Sequence, residues 1–126
     1  MSNVTLVLVE SPFAAADHKG ITMNIVYARA CCHDCLMRGE FPFASHIFYT
    51  QTGILRDGVP AERKLGIEAG LAWGALAQKS VVYTDLGITD GMRLGIKRAE
   101  DANRPIEFRT LENWLDQYDE NYSLTF

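Results

Sequence analysis

The stretch from Ser80 to Ala99 constrains this chain most. It opens on an apolar run, Val81-Val82-Tyr83, and breaks at Asp85-Leu86-Gly87. It then passes through Thr89-Asp90-Gly91-Met92 and continues with Leu94, Ile96 and Ala99 in a helix-like pattern. A short buried strand, a glycine-punctuated turn and a helix start form the unit from which α/β folds build ligand sites. The free N–H groups of such a turn and helix N-terminus favour anionic groups such as phosphate or carboxylate.

The rest of the chain repeats that alternation. Val4 to Val9 is an almost unbroken apolar run and reads as a central strand buried on both faces. It ends at Glu10-Ser11-Pro12-Phe13, because Pro12 cannot donate to a sheet ladder. Ala14 to Gly20 reads as a loop. Thr22 to Arg38 reads as a helix with Ile25, Ala28, Cys32, Cys35 and Leu36 on one face, ended by Gly39. Next comes an aromatic, strand-like segment from Pro42 through His46-Ile47-Phe48-Tyr49, and then a loop from Gln51 to Gly58. Pro60 suits the first turn of another helix, whose apolar stripe is Leu65, Ala69, Ala72, Trp73 and Leu76. Gly66, Gly70 and Gly74 recur on an adjacent face. Each costs about 1 kcal/mol of helix stability relative to alanine, so the stripe implies close approach by another backbone. That neighbour is the sheet, the preceding helix, or the same helix of a second subunit. A strand at Ser80–Thr84, a helix from Asp90 to Asn103 and a short strand at Ile106-Glu107-Phe108 follow. Thr110 can cap a final helix reaching about residue 121, beyond which Leu124 and Phe126 could dock on a neighbouring surface. The expected architecture is one α/β domain spanning the chain. It is a Rossmann-like or flavodoxin-like three-layer sandwich with a mainly parallel sheet of four to five strands.

Composition narrows the partners. The 126 residues are 48% hydrophobic, enough for a core without disulfide or metal. Twelve basic residues stand against 16 acidic ones, with no basic cluster, which argues against a nucleic-acid partner. No apolar run approaches the roughly 20 residues that span a bilayer. Met1 to Val9 lacks a basic leader region, so the expected location is cytoplasmic. Cys31, Cys32 and Cys35 are odd in number, which suits a reducing compartment. Cys31-Cys32-His33-Asp34-Cys35 on one helix cannot supply a tetrahedral zinc site without a second element, so these thiols read as small core residues. No metal and no cofactor are expected.

Two turns fall side by side if the first and third strands are neighbours, at the switch point of a flavodoxin-like order. Ser11, Thr89 and the amides around Gly91 can hold a phosphate. Glu10, Asp85 and Asp90 can bind hydroxyls or act as acid, base or nucleophile. Thr89 or Asp90 serves equally as a simple helix cap. His46 is a further candidate beside its aromatic neighbours.

Taken in order, Ser-Pro-Phe, Pro-Phe-Ala-x-His, Glu-Arg-x-x-Gly-x-x-x-Gly and Gly-Ile-Thr-Asp-Gly-Met resemble the small bacterial and phage domains related to nucleoside 2-deoxyribosyltransferases. The likeness covers roughly Val4 to Phe108 and leaves the final helix outside. It implies a Rossmann-like fold, usually oligomeric, for which the Gly66/Gly70/Gly74 helix is one candidate seam. It implies a nucleoside or nucleotide ligand in the cytoplasm, or the host cytoplasm for a phage protein. Ser11, Pro12 and Phe13 match the first substrate loop. Gly87, Thr89, Gly91 and Met92 lie in the loop that matches the one holding the sugar or its phosphate. The enzymes then place a nucleophilic glutamate four residues beyond that glycine, where this chain has Gly95. Two readings follow. One is a nucleotide-binding module without the transferase chemistry. The other is an N-glycosidase or deoxyribosyltransferase with a relocated carboxylate, drawn from Asp90, Glu10 or Asp85.

Overall fold

A computed structural model describes residues 4–117. The elements are β1 (Leu6–Glu10), α1 (His18–Met37), β2 (Phe41–Phe43), α2 (Ser45–Phe48), α3 (Pro60–Gly74), β3 (Lys79–Tyr83), α4 (Asp90–Asp101) and β4 (Ile106–Arg109), followed by a 3₁₀ turn at Trp114–Gln117. The sheet is four-stranded and wholly parallel, in the order β2-β1-β3-β4. β1 and β3 are therefore adjacent, with Glu10 opposite Val82, and the chain crosses over in opposite senses on either side of β1. The α/β architecture expected from the alternation is the one observed.

Alternation along the strands assigns each face its own task. Val7, Val9, Val81 and Tyr83 point to the side covered by α1, where they pack with Tyr27, Ala30, Cys31, Cys35 and Trp114 in the main core. Leu8, Glu10 and Ser80 point the other way. Leu8 lies under Gly74 of α3, Glu10 against Gly95 of α4, and Ser80 accepts a hydrogen bond from Arg104. The three cysteines belong to the α1 layer; Cys31 and Cys35 are wholly buried, and burial pushes the thiol of Cys32 up to about 11.

Helix ends follow local chemistry. α1 begins at His18, four residues before the sequence expectation, because Asp17 caps it by accepting from the Gly20 amide at 2.8 Å. It ends with Gly39 in the left-handed region (φ 81°), while Gly39 and Glu40 donate to the carbonyls of Leu36 and Cys35. α4 closes in the same pattern with Asn103 (φ 55°) in the glycine's place.

Three sequence expectations are corrected. His46 to Phe48 belongs to a short helix, not a strand; β2 is the preceding Phe41–Phe43, with Pro42 tolerated on an edge strand. The aromatic run has strand propensity, but its contacts with α3 decide its shape. On α3 the packed face is the glycine face. A Cβ at Gly66 would meet Leu55 at 3.2 Å, at Gly70 Ser45 Oγ at 2.6 Å, and at Gly74 Leu8 at 3.1 Å. The stripe thus seats α2, its following loop and β1 within the chain, which is the intramolecular one of the packing alternatives. Leu65, Trp73 and Leu76, expected inside, are more than half exposed. Of the final helix, the described residues contain only the 3₁₀ turn; residues 118–121, and the docking of Leu124 and Phe126, lie outside them.

A buried ion network ties the sheet together beneath α1. Arg109, 3% exposed, grips Glu40 through two hydrogen bonds of 2.8 and 2.7 Å, and Lys79 meets Glu40 at 2.8 Å. Arg109 also donates to Tyr83 at 3.1 Å. The Arg109 hydrogen bonds, with help from Lys79, hold Glu40 at about 2 against its ordinary 4.5. A carboxylate with a depressed value stabilises the fold fully above pH 4.5 and loses that contribution as pH falls towards 2. Glu40→Gln leaves a buried guanidinium without its main counter-charge and is expected to cost on the order of 3 kcal/mol at pH 7. Urea unfolding at pH 7 and pH 3 checks this: the gap between wild type and variant narrows at the lower pH.

Candidate functional site

α3 and α4 lie over the same sheet face with a cavity of about 410 Å³ between them, opening at the carboxyl ends of β1 and β3. This is the crevice where open α/β sheets bind ligands. The glycines of both helices make room for it: Gly66 and Gly70 line one wall, Gly91 and Gly95 the other. The volume lies within the usual range for small-molecule sites, roughly 300–1,000 Å³.

Glu10 is the carboxyl group inside. It is the last residue of β1, and its strand parity turns it towards α4. Burial raises its pKa from 4.5 to about 7, partly opposed by the Arg104 guanidinium. Its carboxylate lies directly on the backbone of Gly95. A Cβ built there would sit 2.3–2.6 Å from all three carboxylate atoms. Arg104 is itself fixed, with Nε donating to Ser80 Oγ and Nη1 to the Gly74 carbonyl, both at 2.9 Å.

Ser11, 4% exposed, pairs its Oγ with His46 Nε2 at 2.7 Å, and both residues line the cavity. Burial holds His46 down at about 4, so the imidazole is neutral at pH 7. Phe13 forms part of the wall, and Asn24 of α1 pins its carbonyl with a 2.8 Å hydrogen bond. Pro12 is buried beside them but is not part of the lining.

At the opposite wall Thr89 caps α4, accepting from the Met92 amide at 3.2 Å. Both the capping role and the lining role of Thr89 are therefore real. Met92 is 2% exposed and closes the floor of the first turn. The amides of Asp90 and Gly91 precede the first intrahelical bonds and have no acceptor within the helix. Around Gly91 a Cβ would meet nothing nearer than Thr89 Oγ1 at 3.9 Å, so this part of the wall is open.

Two expected site residues stand elsewhere. Asp85 does not line the cavity: it accepts from Tyr27 at 2.5 Å and from the Leu111 amide at 3.0 Å, and so braces the end of β3 against α1 and the segment after β4. Gly87 supplies a left-handed turn (φ 86°) with open space around it. Asp90 does reach the cavity, but at its rim; its side chain is fully exposed, 3.4 Å from Arg93.

The sequence reading missed Asn24, Ser45, Arg98 and Arg104. Asn24 carried a weak signal, being an amide next to Ile25 and Val26 in a helical stretch; its burial emerges only in the fold. Arg104 carried none, because it looked only like a helix terminator before Pro105. Arg98 lies on the α4 wall at i+3 from Gly95 and i+7 from Gly91. Among the described residues no three His, Cys, Asp or Glu side chains converge as a metal site, and no helix is long and apolar enough to cross a membrane.

Fold and crevice together define a doubly wound α/β domain with a cavity at its topological switch point. By its match over residues 5–109, the chain belongs to the family described as a domain of unknown function, DUF7768. No curated protein matches it. The fold is similar to that of a solved 2-deoxyribosyltransferase from the psychrotolerant bacterium Bacillus psychrosaccharolyticus. That likeness has a TM-score of 0.57 and 15% identity over 95% of this chain and 93% of the other. The chain thus has the 2-deoxyribosyltransferase-like fold that its motifs resembled.

The buried carboxyl group has a thermodynamic signature. With a value of about 7 folded and 4.5 unfolded, Glu10 releases its proton more readily on unfolding. Its cost to the fold is absent below pH 4.5, grows between 4.5 and 7, and is constant above. Glu10→Gln removes that cost. Its melting temperature is expected to match wild type at pH 4 and exceed it at pH 8, by the equivalent of on the order of 3 kcal/mol. Calorimetry at the two pH values checks it.

Proposed function

We propose that this protein cleaves the N-glycosidic bond of a nucleoside or nucleoside monophosphate, with Glu10 as the carboxyl group that works on the glycosidic carbon. The observation that carries this reading is the Glu10 carboxyl itself, inside a nucleoside-sized cavity at the switch point and held near pH 7 by burial. A group poised at that value transfers or accepts protons, or attacks as carboxylate, near neutral pH. The fold likeness to a 2-deoxyribosyltransferase supports the substrate class. In the enzymes that the motifs resemble, the working carboxylate comes from α4, at the position of Gly95 here. Glu10 reaches the same place from β1.

The other wall suits the rest of such a substrate. The first-turn amides of α4 and the hydroxyl of Thr89 face a sugar or its phosphate. Arg98, on the α4 wall, favours an anionic substituent over a neutral one. The neutral Ser11–His46 pair offers hydrogen bonds without a charge, which fits a base or a hydroxyl. Phe13 and Leu71 supply apolar surface for a ring.

A binding-only role is the second reading. It is favoured by the engagement of the other nearby carboxylates: Asp57 with Arg63, Glu62 with Arg56 and Asp90 with Arg93 by ion pairs, and Asp85 by Tyr27. Among the described residues that line the cavity, Asp57, Glu62 and Asp90 each face a cation of their own.

Free base released from a panel of ribo- and deoxynucleosides and their monophosphates separates the two. Release is expected, falling by about 10²–10⁴-fold in Glu10→Gln. The pH profile of kcat/KM is expected to have an inflection near 7 that this variant loses. Full activity in Glu10→Gln would overturn the assignment of the carboxyl group. A rise in melting temperature with one nucleotide and no release would favour binding alone.

A further inference from the structure

We infer that Gly95 is a positioning residue, whose missing side chain is the seat of the Glu10 carboxylate, so that position 95 and residue 10 compete for one volume in the cavity wall. The functional half of this inference rests on the reading of Glu10 given above; the structural half does not.

The geometry at Gly95 differs from that at the other helix glycines. A Cβ there would lie 2.3 Å from Oε2, 2.5 Å from Cδ and 2.6 Å from Oε1 of Glu10. Non-bonded carbon and oxygen atoms do not share such distances. Gly91, one turn earlier in the same helix, would place its Cβ in open space. On α3, a Cβ at Gly66 would meet apolar side chains, at Gly70 a serine hydroxyl, and at Gly74 Leu8 at 3.1 Å with the Arg104 guanidinium behind it at 3.5 Å. Among the described helix glycines, Gly95 alone has a carboxylate so close that all three of its atoms fall inside the space a Cβ needs; the ionisable atoms near Gly20 (Asp17 Oδ1, 3.1 Å) and Gly74 (Arg104 Nη2, 3.5 Å) stand farther off.

Glycine in the middle of a helix is disfavoured relative to alanine. Nothing in the backbone of α4 requires it, since Gly95 is not among the residues of positive φ. The close approach of the carboxylate is what alanine cannot provide. The clashing atoms belong to the far end of a flexible side chain, not to backbone. Gly95→Ala therefore leaves the fold and helix intact, and the Glu10 side chain rotates away. Its new surroundings are the cavity space, facing Arg98 and Arg104.

Three variants test this. In Gly95→Ala the expected melting temperature equals or exceeds that of wild type, while base release falls about 100-fold, the scale of loss that a displacement of about 1 Å produces. ¹³C NMR titration of the Glu10 carboxyl is expected to fall from near 7 towards 4.5 in Gly95→Ala, and to stay near 7 in Gly91→Ala. In Glu10→Ala/Gly95→Glu the carboxylate enters the vacated volume from α4, and release is expected to recover at least tenfold over Glu10→Ala. An unchanged Glu10 titration in Gly95→Ala overturns the inference, whatever the activity. A shifted titration in a protein whose wild type releases no base upholds the seat and overturns the glycosidase reading instead.

Discussion

The placement of one partly buried carboxyl group against a helix backbone governs the open face of this domain. Glu10 ends a strand in which every other side chain on its face is apolar, and it lies against a helix backbone instead of bulk solvent. Such a group remains ionisable near neutral pH only while its surroundings stay fixed. Arg104 is held by Ser80 and Gly74, and α4 is held by its cap at Thr89 and its left-handed closure at Asn103. The glycines of α3 draw that helix down onto Leu8 and Ser45 and define the other wall. These features together fix where the carboxyl can be.

The opposite face does contrasting work. There α1 covers Val7, Val9, Val81 and Tyr83, and the buried Arg109–Glu40 pair sits beneath it, joined by the half-buried Lys79. Tyr27 and Asp85 extend this rigid layer to the carboxyl end of the sheet. A parallel sheet clamped on one side can keep a cavity on the other without losing its register. Stability and site thus occupy different layers of one sheet, and residues of alternating parity on β1 serve them in turn: Val7 and Val9 the core, Leu8 and Glu10 the cavity.

Much of this was legible in the sequence. The apolar runs at Val4–Val9 and Ser80–Thr84 found both central strands, and Thr89 with the pattern after it found α4. The crevice was legible only on the condition that the first and third strands are neighbours, which the order β2-β1-β3-β4 meets. Edge elements were less legible. His46 to Phe48 has the composition of a strand, and only its packing on α3 makes it helical. On α3 the glycines, not the larger apolar residues, mark the inward face, because close approach needs small residues and a hydrophobic stripe alone does not reveal which face is covered. Asp85 resembled a site residue because it ends a strand at the right place, but its partners Tyr27 and Leu111 are remote in sequence. Gly95 looked like a missing carboxylate. The sequence could not say that Glu10, 85 residues away, fills the space it leaves.

The central claim is that the Glu10 carboxyl stands at the glycosidic carbon of a bound nucleoside. A crystal structure of the Glu10→Gln variant with an intact deoxynucleoside or its monophosphate tests it most directly. The account predicts the carboxamide of residue 10 about 3–3.5 Å from C1′, with the sugar between β1 and the first turns of α4. A ligand bound with C1′ beyond reach of residue 10, or lodged outside the cavity between α3 and α4, would contradict it.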